Sequence, residues 1–189
     1  MKTIRSFFVL FALAFALHNA TATTVIPPTF DDLVGRADVI FQGSVTNLKS
    51  QFVGEGANRH IATFVTFKVD EQIKGSAGSD YTMQMMGGTV GQETMEVTDG
   101  PKFKVGDRDI LFVEHNGSQF IPLVGIMHGR FRVQKDQATG RDIVATNDGA
   151  PLADVTKLGR DEAAASVGAP LTPQAFKTNV KTQLARLAQ

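Results

Sequence analysis

The chain has 189 residues, with 19 basic and 19 acidic side chains, 14 Phe and no Cys or Trp. The absence of Cys excludes disulfide scaffolds, thiolate metal sites and cysteine nucleophiles. A neutral chain without a basic run also argues against nucleic acid as a partner, because phosphate binding depends on clustered Lys and Arg. The length suits one domain of ordinary size with additional segments at its ends.

The first 22 residues have the three parts of a secretory signal peptide. Two basic residues come first, an unbroken apolar run occupies residues 7–17, and Ala20-Thr21-Ala22 supplies the small residues that signal peptidase accepts. The apolar run is too short to span a bilayer. We expect cleavage after Ala22 and an extracytoplasmic product, periplasmic or secreted, that begins at Thr23.

A short helix and a strand are predicted after the Pro27-Pro28 break. Thr29 and Asp32 have the spacing of a capping box, which predicts a helix that ends near Arg36. Residues 39–45 then have the composition of a strand that enters the core.

Further short strands follow, separated by turns that contain glycine. Residues 61–69 alternate in polarity, as a half-buried strand does, and the polar segment Ser50–Arg59 before them is predicted to be a loop. Other strands are predicted at 81–86, 94–97, 110–114, 120–124, 129–133 and 143–145. Five strand residues are expected to be buried together: Phe41, Val65, Phe67, Leu111 and Phe112.

Asn116-Gly117 lies between the predicted strands 110–114 and 120–124. Asn and Gly tolerate positive φ, as a two-residue type I′ hairpin turn requires, so the pair predicts such a turn. Asn116 also begins a glycosylation sequon, which has meaning only in a eukaryotic secretory pathway.

The composition changes after residue 146. Ala, Gly and Asp dominate residues 147–170, which predicts a flexible connector. Thr172 as N-cap, Pro173 at the first helical position and an apolar stripe from Phe176 to Leu187 predict a helix that docks on the sheet. Short strands separated by glycine turns, with little helix between them, indicate an antiparallel barrel or sandwich. The predicted organisation is a signal peptide at 1–22, this β domain at 23–146, the connector at 147–170 and an amphipathic helix at 171–189.

Three phrases, in a fixed order, resemble strands of the netrin-like domain of tissue inhibitors of metalloproteinases. They are ADVIFQGSV at residues 37–45, FVTFKVDEQIKG at 64–75 and FKVGDRDILFVE at 103–114. The resemblance covers residues 29–133 and extends to secreted bacterial proteins that add a short C-terminal helix to such a barrel. It implies an all-β fold, an OB-like antiparallel barrel with a short N-terminal helix and a C-terminal helix.

The resemblance also implies a partner, a secreted metalloprotease. Inhibitors of that class chelate the protease zinc through the amine and carbonyl of an N-terminal cysteine held by disulfides. Here the expected N-terminus is Thr23 and the chain has no Cys. Inhibition of a metalloprotease is therefore the second hypothesis.

The leading hypothesis is a secreted, non-catalytic binding module whose ligand the sequence does not identify. A secreted protein is the candidate partner, and no nucleic acid and no membrane span are predicted. OB-type barrels bind through one strand face and adjoining loops, here Ser50–Arg59 and Gly87–Gly91. The candidate binding residues are Gly87, Gly88, His60 and His128. The His residues lack the spacing of a zinc site and complete no triad, so no metal, cofactor or catalytic residue is predicted. A hydrolase with a dispersed site is the third hypothesis.

Overall fold

The computed structural model describes residues 26–98 and 100–189. The predicted signal peptide, residues 1–22, lies outside the described residues. The described elements are helix α1 (Phe30–Arg36), strands β1 (Val39–Val53), β2 (His60–Lys74), β3 (Asp80–Met86), β4 (Gly88–Val90), β5 (Glu93–Met95), β6 (Arg108–Val113), β7 (Arg130–Lys135) and β8 (Asp142–Ala145), and helices α2 (Glu162–Ala165) and α3 (Pro173–Leu187). No helix within these two ranges is long and apolar enough to cross a membrane.

The fold is mainly β, as predicted. Six strands form one antiparallel sheet in the order β3-β2-β1-β6-β7-β8, and β4 and β5 form a separate hairpin. The predicted loop Ser50–Arg59 is wrong over its first half, because β1 continues to Val53 and pairs Ser50 with Thr63. The polar residues that suggested a loop lie on a strand whose side chains alternate between the interior and solvent.

The N-terminal helix has the predicted bounds and the predicted cap. The Thr29 hydroxyl accepts a hydrogen bond from the Asp32 amide at 3.2 Å, and the Thr29 amide donates to the Asp32 carboxylate at 3.0 Å. At its other end, Arg36 donates two hydrogen bonds to the buried Glu114 carboxylate, at 2.7 and 3.2 Å. This pair ties α1 to the end of β6.

The sheet separates two hydrophobic clusters. We call the cluster on the helix face the helix-side core; it includes Phe112, Phe131 and Phe176. The cluster on the opposite face, the strand-side core, includes Phe41 and Met83.

All five predicted core residues are buried, but they do not share one cluster. Phe41, Val65, Phe67 and Leu111 belong to the strand-side core, whereas Phe112 belongs to the helix-side core. Strand β6 lies inside the sheet and is covered on both faces, so neighbouring residues of one strand enter different cores.

Helix α3 docks on the sheet as predicted. Thr172 caps it by accepting a hydrogen bond from the Ala175 amide, and the ring of Phe176 lies 4.7 Å from that of Phe131. The apolar stripe ends earlier than predicted, because Leu187 is 53% exposed. The last turn of α3 faces Gly35 of α1, which has no side chain to cover Leu187.

The segment predicted to be a flexible connector, 147–170, is packed into the domain. It contains a 3₁₀ turn at Val155–Lys157 and helix α2, and it contributes Leu152 and Leu158 to the helix-side core. The Leu152 amide also donates to the carbonyl of Val144 in β8, at 2.9 Å. The burial was not predictable from the composition because these apolar residues follow no regular period.

The predicted Asn116-Gly117 hairpin turn is wrong. Positive φ angles occur at His115 (51°) and Gly117 (87°), and Asn116 is not among the residues with positive φ. The predicted strand 120–124 is reduced to a single bridge, between Val113 and Leu123, and the full partner of β6 is β7.

The side chain of Asn116 has a different role. Its Oδ1 atom accepts a hydrogen bond from the Gln84 amide at 3.0 Å, and its Nδ2 atom donates to the Thr82 carbonyl at 2.9 Å. Asn116 therefore takes the place of a neighbouring strand along the outer edge of β3.

Candidate functional site

The Gly87-Gly88 pair turns the chain out of β3 and across the face of the sheet. The Gly87 amide donates to the Ile61 carbonyl at 2.8 Å, and the Gly87 carbonyl accepts from the Thr63 hydroxyl at 2.7 Å. The chain then forms β4, which contacts both β1 and β2. The predicted turn Gly87–Gly91 is thus largely strand, because Gly88–Val90 pairs with β5.

Glycine is required at position 88 for two reasons. Its φ angle is +130°, a conformation that L side chains rarely adopt. A Cβ atom there would also collide with the hydroxyls of Ser50 and Thr63, which lie 2.8 Å apart. Only glycine lets the β4–β5 hairpin lie this close to the sheet.

A cavity of about 410 Å³ remains between the β4–β5 hairpin and the strand-side face of the sheet. We call it the hairpin cleft. Its apolar lining includes Leu48, Val65, Met85, Met95, Val97 and Phe103. The hydroxyls of Ser50 and Thr63 form a polar end, where Gly88 also lies.

The size and lining of the hairpin cleft suit an apolar ligand with a small polar group. Its volume falls within the range of about 300–1,000 Å³ that is usual for ligand pockets. Met85, Met86 and Met95 are unbranched and polarizable, so they adapt to different ligand shapes.

A buried ion-pair network supports the wall of the cleft that contains Phe103. The Arg130 guanidinium bonds to Asp109 at 2.9 Å and to Asp107 at 2.8 Å, and donates to the Lys102 carbonyl at 2.8 Å. It also lies over the Phe103 ring, 4.0 Å from the centroid. Arg130 therefore fixes the segment that carries Lys102 and Phe103.

Burial raises the pKa of Asp109, and the Arg130 guanidinium opposes this shift. In the sequence, Asp107 and Asp109 are explained by the turn that precedes β6. Arg130 follows Asp109 by 21 residues, and no local pattern connects residues on two separate strands.

Only two of the four predicted binding residues lie in the hairpin cleft. These are Gly87 and Gly88. His60 begins β2 outside the cleft lining, and its Nδ1 atom lies 2.9 Å from the Asn58 carbonyl oxygen. The contact with Asn58 in the turn between β1 and β2 accounts for a polar side chain at position 60.

His128 lies in a second cavity, of about 240 Å³, which we call the histidine cavity. His128, Asp148, Glu162 and Ser166 contribute to its lining, together with apolar residues of the helix-side core such as Phe131. Burial lowers the pKa of His128, while the carboxylates of Glu162 and Asp148 oppose that shift. The four predicted binding residues therefore do not converge on one site.

No protein-family model matches the chain, and comparison with curated proteins gives no significant match. Thr23, whose amine the netrin-like resemblance would place at a protease zinc, lies outside the described residues. Among residues 26–98 and 100–189, no group of three or more His, Asp or Glu side chains is arranged to hold a metal ion.

Proposed function

We propose that this protein is a secreted, non-catalytic binding module that holds an apolar group in the hairpin cleft. The observation that carries the proposal is the cleft itself, an opening of ligand size with an adaptable apolar lining. Secretion is part of the proposal, on the grounds of the charged, apolar and small-residue pattern at 1–22.

An OB-like barrel is the finer fold within this proposal. Strands β6, β1, β2 and β3 are neighbours in that order, which is the 4-1-2-3 order of a Greek key. OB folds are partly open Greek-key barrels. The bonds from Asn116 to the edge of β3 support closure, because they bring the β6–β7 connection to the opposite edge of the sheet.

The proposal is tested with anilinonaphthalene sulfonate, a fluorescent probe of apolar sites. We expect saturable binding to the folded protein and its loss in Met95→Trp, which adds volume to a residue of the cleft lining. Gln92→Trp is the matched control, because it introduces the same side chain at the exposed turn of the same hairpin.

Saturable binding that survives in Met95→Trp would place the apolar site elsewhere. Absence of binding to the wild-type protein would also contradict the proposal. Both variants should first be shown to keep the wild-type far-ultraviolet circular dichroism, since a partly unfolded protein binds this probe without a specific site.

A hydrolase is the second candidate function, and the histidine cavity is the observation that favours it. A half-buried imidazole with a lowered pKa is neutral at physiological pH and able to accept a proton. This candidate predicts p-nitrophenyl acetate hydrolysis that is lost in His128→Gln and kept in His60→Gln. Under the leading proposal, the wild-type protein and both variants should hydrolyse the ester no faster than buffer alone does.

A further inference from the structure

Strand β1 has a partner on both sides over only part of its length. On the β6 side, pairing ends at Ser44 with Arg108, and two more bonds join Val45 to Gly106 and Asp107. A bulge at Thr46 follows. From residue 46 to 53, no strand of the described chain pairs with β1 on this side.

The pairing of the neighbouring strands shows which backbone groups of β1 face the open side. In β3, even-numbered residues bond away from β2: the Gln84 amide donates to Asn116, and the Met86 amide donates to the Phe120 carbonyl. The odd-numbered residues of β3 therefore bond to β2.

The same alternation continues through β2 to β1. Residues 63, 65 and 67 of β2 lie opposite the odd-numbered residues of β3, so residues 62, 64 and 66 bond to β1. Their partners in β1 are residues 51, 49 and 47. The amide and carbonyl groups of Leu48, Ser50 and Phe52 consequently point to the open side.

The same three residues turn their side chains to the strand-side face. Leu48 and Ser50 line the hairpin cleft, and Phe52 lies beneath the Arg59 guanidinium, 3.6 Å from its ring centroid. A strand added beside β1 would place alternate side chains on this face, next to the cleft.

We infer that the protein binds an extended peptide segment of a partner protein, which adds to the sheet along β1 at residues 46–53 and places an apolar side chain in the hairpin cleft. The inference rests on the proposed function and names its ligand class. In this mode of recognition, main-chain hydrogen bonds supply affinity and pockets for alternate side chains supply specificity. The open side of β1 offers the main-chain hydrogen bonds, and the hairpin cleft beside it offers a pocket for a side chain.

An extended peptide can bond to the outward backbone groups of β1 and also fill the hairpin cleft with a side chain. The outward backbone groups of β1 repeat every second residue, about 6.8 Å, which is the spacing of another strand. A lipid or a small apolar compound would fill the cleft and leave those groups unpaired. A second copy of this chain fits less well, because the β1 side chains on that face, such as Leu48 and Ser50, already line its own cleft.

The test selects short peptides from a random phage-displayed library with the wild-type protein and measures their affinity by titration calorimetry. Ser50→Pro removes one outward amide while leaving the β1–β2 bonds in place, since proline is tolerated on an open strand edge. Ser50→Ala is the matched control, because it also removes the hydroxyl but keeps the amide. We expect Ser50→Pro to weaken the selected peptides about tenfold or more, and Ser50→Ala by less than about threefold.

Amide hydrogen exchange on the wild-type protein supplies a second measurement if Ser50→Pro does not fold. The amides of Leu48, Ser50 and Phe52 should exchange quickly in the free protein and become protected when a selected peptide binds. Protection of these amides in the free protein, together with a dimeric mass, would overturn the inference in favour of a second copy.

Two further results would also overturn it: a library that yields no binder, or binders whose affinity is equal in Ser50→Pro and Ser50→Ala. The anilinonaphthalene sulfonate experiment separates this failure from failure of the proposed function. If the probe binds and Met95→Trp abolishes its binding, the cleft remains a ligand site even when no peptide adds to β1.

Discussion

The two faces of the sheet are covered in different ways. On the helix side, Phe112, Phe131 and Phe176 form a set of ring contacts with centroids 4.7–6.1 Å apart. On the strand side, the core is covered by Phe103, Ile121 and Leu123 from the connections between strands. Beside them, a hairpin of two three-residue strands lies over a cavity of about 410 Å³. A helix carries large side chains into the core, whereas a short hairpin held close by a glycine does not fill the space under it.

Aromatic ring contacts add to the free energy gained from buried area on both faces. On the strand side, the rings of Phe41, Phe67, Tyr81 and Phe103 also lie 5.0–5.6 Å apart. The two faces therefore differ in their cavities and strand edges, and both should contribute to stability. The strand side combines a cavity with a length of β1 that has no partner on one side among the described strands. Substitutions in the helix-side core should therefore change stability alone, whereas substitutions around the hairpin cleft should also change binding.

The largest effect is expected for Phe176→Ala on the helix side. Phe176 is fully buried against Phe131, and its loss should lower the free energy of unfolding by about 3–5 kcal/mol in urea denaturation. Leu187→Ala on the same helix is the control and should change it by less than about 0.5 kcal/mol. A Phe176→Ala protein as stable as the control would mean that α3 does not hold this face together.

Gly88→Ala should have the next largest effect on stability, because Gly88 holds the β4–β5 hairpin against the sheet beside the hairpin cleft. Backbone strain and the collision with Ser50 and Thr63 should together cost about 2–4 kcal/mol in thermal or urea unfolding. Gly91→Ala is the matched control. Its φ angle is +62° but nothing lies within 4 Å of an added Cβ, so strain alone should cost about 1–2 kcal/mol. Equal losses would show that the hairpin does not lie against the two hydroxyls.

Asn116→Ala tests the bonds between the β6–β7 connection and the edge of β3. The variant removes two exposed hydrogen bonds, to the Gln84 amide and the Thr82 carbonyl, and their combined loss should cost about 1–3 kcal/mol in urea denaturation. Ser118→Ala, in the same turn, loses one exposed bond to the His115 carbonyl and should cost less than about 1 kcal/mol. A neutral Asn116→Ala would argue against closure of the sheet at this edge.

The smallest effect concerns pH and His128. Burial lowers the pKa of His128 in the folded protein, whereas in the unfolded chain the imidazole has its ordinary pKa of about 6.5. The unfolded chain therefore binds this proton more readily than the folded protein as the pH decreases. Stability should therefore fall as the pH decreases from about 7 through the folded pKa. His128→Gln should reduce the difference between the urea midpoints measured at about pH 7 and at a pH below the folded pKa. His60→Gln should leave this difference unchanged. An unchanged pH dependence in His128→Gln would contradict the burial of the imidazole.

Local signals in the sequence located several elements correctly. The Thr29–Asp32 capping box and the Thr172-Pro173 start of α3 act over three or four residues, so their structural effect is visible in the sequence itself. The alternation along 61–69 placed Val65 and Phe67 in the interior for the same reason.

Signals that needed a distant partner were misinterpreted. Asn116-Gly117 has the composition of a tight turn, but the Asn116 side chain bonds to β3, more than 30 residues away in sequence. The polar segment Ser50–Arg59 suggested a loop, but its first residues, 50–53, pair with β2, and hydrophobicity does not encode that pairing. In both cases a long-range contact overrode the local preference.

The sequence by itself determined the mainly β composition of the domain, the helices at its two ends and the need for a core without disulfides. These follow from periodicity, capping residues and the absence of Cys, all of which are local or compositional. Only the tertiary structure decided that Phe112 faces the helices and that Gly88 brings a hairpin against Ser50 and Thr63. It also decided that, within residues 26–98 and 100–189, no strand pairs with the second half of β1 on its β6 side. Those outcomes depend on which strands become neighbours, and strand order is set by contacts between residues far apart in the chain.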